Sequence, residues 1–134
     1  MLLSSCFKEP KPEPVGDAYI NAVNAVRSSS PQEFYLNGSK KNSVPIPYGA
    51  SSGYITVTSG NSQFAFGNVS SETANAATQV VGVPIGVNAT VFYYTESKSE
   101  STQEELHMAT ITNDDMKPSA VAGKAKVRFV NLNY

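Results

Sequence analysis

Residues 47–67 read PYGASSGYITVTSGNSQFAFG, and the parsing of this stretch decides the fold. Tyr54 to Thr58, YITVT, alternates side chains as a half-buried strand does and is rich in β-branched residues. Ser59 to Ser62, SGNS, supplies turn residues, and Gln63 to Gly67, QFAFG, follows with Phe64 and Phe66 on one face. Two short strands on either side of a turn leave no room for a helical period.

The same grammar runs outward in both directions. Upstream, Ala18 to Asn24 (AYINAVN) is expected to be a first strand, and Glu33 to Leu36 (EFYL) a second. The second runs into Asn37-Gly38, a strong hairpin signal because both residues tolerate positive φ. Val44 to Pro47, VPIP, lacks the donors for a full ladder and reads as an edge or a connection. Downstream, 68–77 is small and polar and reads as a loop, and Thr78 to Val83 as a strand ended by Pro84 and Gly86. Asn88 to Thr95 (NATVFYYT) is the clearest strand of the chain. Glu96 to Glu105 reads as an exposed hairpin loop, Leu106 to Thr112 as a returning strand, and Asn113-Asp114-Asp115 as its end. About seven to eight short strands at regular spacing predict an all-β antiparallel β-sandwich.

The 134 residues suffice for one domain with a real core. A formal net charge of -1 provides no basic footprint, so nucleic acid is not an expected partner. One cysteine excludes an intrachain disulfide framework and a cysteine-based zinc site.

Four stretches give a family resemblance: AYINAVNA, EFYLNG, PIPYGASSGYITVTSGN and VPIGVNATVFYY, within Ala18 to Tyr94. In this order they resemble the DUF4397 family, domains of unknown function in secreted and surface proteins of bacteria. There a strand of the type VRVVNAS precedes a VYVNG-like turn and a VPYG-x-x-SGY segment. The PYGASSGY run is the specific part, whereas Ala25 to Gln32 lacks the family's usual acidic loop. The resemblance implies an immunoglobulin-like arrangement of the sandwich. Near the C-terminus, Lys124 to Asn133 (KAKVRFVNLN) looks like that opening strand again, with Val130-Asn131 matching Val23-Asn24. Two expectations stand for residues 124–134: a final strand of this sandwich (residues 17–123), or the first strand of a second repeat. In the second case Val127, Phe129 and Val130 would form an unpaired apolar edge.

The N-terminal segment, residues 1–16, carries an address rather than a fold. Leu3-Ser4-Ser5-Cys6 resembles the lipobox of bacterial lipoproteins, which implies lipidation at Cys6 and a membrane as partner through the acyl chains. Met1 to Leu3 is shorter than the apolar region of a secretory signal, so such a signal would begin upstream; the alternative is an apolar tip with an incidental cysteine. Pro10, Pro12 and Pro14 make the segment that follows an extended, semi-rigid tether. The expected location is the bacterial cell envelope, with the periplasmic or the surface-exposed face left open.

Candidate chemistry is sparse. His107, the sole histidine, lies beside Glu104 and Glu105 and could serve as a base or ligand, but reads more simply as a strand-surface residue. Asn113-Asp114-Asp115 lacks the spacing of a calcium loop. Tyr48, Tyr54, Tyr93 and Tyr94 could stack on sugar rings while Asn and Ser bind hydroxyls, or could belong to the core and its rim. No catalytic residue, metal or cofactor is expected. The expected role is non-catalytic, structural or binding, with a glycan- or protein-binding adhesion domain as the alternative.

Overall fold

The computed structural model describes residues 11–69, 78–96, 105–112 and 120–132. Among them the chain is all-β, with eight strands in two four-stranded sheets. The strands are β1 (Asp17–Asn24), β2 (Gln32–Leu36), β3 (Ser39–Lys40), β4 (Ser51–Thr58), β5 (Gly60–Asn68), β6 (Thr78–Val83), β7 (Asn88–Glu96) and β8 (Glu105–Thr112). One sheet has the order β4-β1-β7-β8 and the other β3-β2-β5-β6. The quoted stretch thus spans both sheets. Ser59 is the sole residue between β4 and β5, and Gly60, at φ 115°, turns the corner.

The antiparallel expectation holds for every strand pairing except one. β1 and β7 run parallel, from Tyr19 opposite Asn88 to Asn24 opposite Tyr93. A parallel pair needs a long crossover connection. Here the crossover is the second sheet itself: after β1 the chain visits β2 and β3, returns for β4, and leaves again for β5 and β6 before reaching β7.

Local chemistry explains the elements. The β2–β3 hairpin turns through Asn37 at φ 48° and Gly38 at φ 77°, the pair of positive angles its Asn-Gly sequence predicts. The β1–β4 ladder slips between Asn21 and Val23, and the Ala22 N–H there donates to Ser52 Oγ at 2.9 Å. Val44 to Pro47 is a connection whose Ile46 alone forms an isolated bridge to Gln32.

The core lies between the sheets. The first sheet presents Ala18, Ile20, Ala22, Val57, Ala89, Val91 and Tyr93; the second presents Phe34, Leu36, Phe64, Phe66 and Val83. Small residues on one side leave volume for rings on the other. Phe34 lies edge-on to Phe64 at 5.5 Å, and Phe66 stacks on Tyr93 of the opposing sheet at 4.8 Å and 11°.

A polar layer closes one end of this core. Asn24, fully buried, donates to Ile46 O and Ser29 Oγ and accepts from Val26 N. Gln32 Nε2 donates to Ser30 O and Asn68 Oδ1, and Asn42 joins Phe34 N to Val44 O. Among the described residues, the loops after β1 and β3 are each stapled by an amide side chain.

Lys124 to Leu132 forms no strand, and Val127 and Phe129 are 89% and 88% exposed. The segment's fixed point is Arg128, whose Nη1 donates to Thr112 O at the end of β8 at 2.8 Å.

Candidate functional site

Strand register assigns each outward side chain of the first sheet. With Ala18, Ile20, Ala22 and Asn24 facing the core, β1 presents Tyr19, Asn21 and Val23 outward. Tyr54 lies opposite Asn21 on β4, and Thr90 opposite it on β7, with Ile111 next on β8. The next row holds Val23, Phe92 and Ala109, and beyond it Tyr94 faces His107. The outer face of this sheet is therefore a surface of aromatic rings interleaved with Asn and Thr. Tyr54 is 50% exposed and Tyr19 39%, while Asn21, Phe92, Ile111 and His107 are half-buried.

The four candidate tyrosines separate. Tyr93 is 2% exposed and stacked in the core, so it is removed as a ligand contact: its position in the alternation is the inward one. Tyr54 and Tyr94 share the outer face. Tyr48 is exposed in the turn at the end of β1, where Gly49 N donates to Asn24 O at 2.8 Å. Sequence reasoning missed Tyr19, which a strict count of two from Ala18 would have placed outward.

His107 lies on this open sheet face, its ring 5.7 Å from that of Tyr94 and tilted by 30°. Among the described residues no group of three His, Cys, Asp or Glu is placed to hold a metal ion. Asn113 to Asp115, Glu104 and Cys6 lie outside the described residues.

The opposite face of the molecule carries a charged cluster. Tyr35 OH donates to Glu33 Oε2 at 2.6 Å, and Lys40 Nζ reaches Glu33 Oε1 at 3.1 Å. The Tyr35 hydrogen bond first, then Lys40, holds the Glu33 carboxyl below its ordinary value, and the same bond pushes the Tyr35 hydroxyl above its own.

A groove of about 340 Å³ runs along the edge where β4 and β3 of opposite sheets come together. Leu36 and Val57 form its apolar floor, and Asp17, Asn37, Ser39, Lys41, Thr56, Thr58 and Ser62 its polar rim.

The N-terminal segment enters beside this groove. Residues 11–15 are exposed and form no secondary structure, and among the described residues Gly16 is the first to bond to the sandwich. Gly16 N donates to Ser59 Oγ at 3.0 Å, and Ser59 N donates to Gly16 O at 2.8 Å. Among the described residues no helix is long and apolar enough to cross a membrane.

Residues 18–134 match the family model described as "Domain of unknown function (DUF4397)". No curated protein and no solved structure matches the chain.

Proposed function

The chain belongs to the DUF4397 family, and from that premise we propose that it is a non-catalytic binding module of the bacterial cell envelope, lipid-anchored through Cys6. The outer face of the first sheet is its binding surface. One observation carries the reading: Tyr19, Tyr54, Phe92 and Tyr94 share a single face with Asn21 and Thr90. Rings offer flat apolar area at low entropic cost, and amide and hydroxyl groups between them supply hydrogen bonds. A cell-surface glycan or protein is the ligand this chemistry suits. The exposed Lys11-Pro12-Glu13-Pro14-Val15 run supports the tethered part of the reading, since it would hold the domain off a bilayer.

Two measurements test it. Expression from the native gene, upstream codons included, is expected to give a product that starts at Cys6, carries acyl mass and sediments with membranes. A soluble product with unmodified Cys6 removes the anchor. Glycan-array and whole-cell binding of the domain is expected to fall at least tenfold in Tyr54→Ala and Tyr19→Ala, both half-exposed positions whose loss spares the core. Binding unaffected by either substitution moves the ligand off this face.

A further inference from the structure

The C-terminal segment repeats β1 in residue type and phase. Offset by the match of Val130-Asn131 to Val23-Asn24, the core-facing Ala18, Ile20, Ala22 and Asn24 of β1 correspond to Ala125, Val127, Phe129 and Asn131. The outward positions are taken by Lys124, Lys126, Arg128 and Val130. Alternation this regular is that of a strand with one face to bury. Yet the segment forms no strand in its own chain, and the two largest residues of its apolar face stand almost fully in solvent.

Two features narrow where such a strand can go. The β1 position of an identical sandwich is closed to it, because Ala22 is fully buried and Phe129 in its register would overpack the core. An open sheet edge carries no such limit. β4 is one of the two edges of the first sheet, and Ser51 to Thr58, like Glu105 to Thr112 at the other edge, carries neither Lys nor Pro, the residues that ordinarily protect an edge. A strand added beside Ile55 to Thr58 would turn alternate side chains toward the groove, whose floor is Leu36 and Val57. Apolar residues there meet an apolar floor.

In its own chain the segment sits at the opposite edge of that sheet. The segment is fixed by Arg128 to the end of β8, the far edge of the sheet. Three strand spacings, about 14 Å, separate β8 from β4. We propose that residues 124–132 are a donor strand, and that the segment of one copy adds to the β4 edge of a second copy with Val127 and Phe129 over the groove. Donor and acceptor are different surfaces, so the contact is head-to-tail and each copy can both give and receive a strand.

The test is sedimentation velocity of the full chain under reducing conditions across a concentration series, with two variants. V127D/F129D disables the donor, and T56K places a cation on the exposed rim beside the acceptor edge; neither site is in the core, so melting temperatures serve as the folding control. The wild-type chain is expected to gain mass with concentration, and each variant alone to remain monomeric. An equimolar mixture retains one working donor and one working acceptor, and is expected to form a one-to-one pair and nothing larger. A wild-type chain that is monomeric throughout overturns the proposal, as does a mixture that fails to pair. Binding of the wild-type chain to anionic vesicles without self-association also overturns it, assigning the basic and apolar segment to a lipid surface instead.

Discussion

Asn24 shows how one polar residue can specify a loop arrangement. It lies in the inward phase of β1 with no access to solvent, and its amide joins Val26, Ser29 and Ile46. Asn24→Ala leaves the Val26 N–H without its acceptor, and a loss of about 2 kcal/mol is expected, read as a lowered urea midpoint. A change below a few tenths would mean that water replaces the amide. The Glu33–Tyr35 pair sets a pH window. Glu33 titrates below its ordinary 4.5 in the folded chain, so its contribution is present above that value and is lost as pH falls through the lowered one. Tyr35 titrates above its ordinary 10.0, so its contribution is present below that value and is lost as pH rises through the raised one. The melting-temperature difference between wild type and Tyr35→Phe is expected to be flat between these limits and to shrink beyond both. A difference that does not vary with pH would separate the hydroxyl from Glu33.

At the scale of elements, the sandwich depends on a hairpin turn and a ring stack. Gly38 sits at φ 77°, so Gly38→Val is expected to cost about 1–2 kcal/mol through the backbone alone, since no neighbour crowds the position. Phe66→Ala removes the ring that bridges to Tyr93 on the other sheet, and about 3–5 kcal/mol is expected by denaturant titration. The strands were legible in the sequence because alternation and turn residues agreed: YITVT, QFAFG and NATVFYYT each became most of a strand. Sheet membership was not, since adjacent strands in the chain pair within a sheet or cross between sheets with similar turn chemistry; nothing in SGNS announces that β4 and β5 part company. The candidate face was half legible. Tyr54 and Tyr94 follow from their position in the strand, but Tyr93 looked like its neighbour until the inward phase was fixed by Val91. Buried Asn24 and Gln32 carried a signal, a polar residue in the apolar phase, that composition alone hides.

For the whole molecule, the ladder directions put the chain's two exits together. β1 begins at Asp17, and β8 ends at Thr112, level with Ala89 and hence with Ile20 near the start of β1. The N-terminal segment and the C-terminal segment therefore leave from one end, and the turn bearing Tyr48 stands at the other. That geometry gives the β1–β7 pairing a mechanical meaning. A pull between the N-terminal segment and the far end of the sandwich runs along β1, which is held by β4 on one side and by β7 on the other. Such a load strains both ladders in shear, so their hydrogen bonds share it and yield together instead of peeling open in sequence. The chain thus enters its sheet through a strand that is held on both sides.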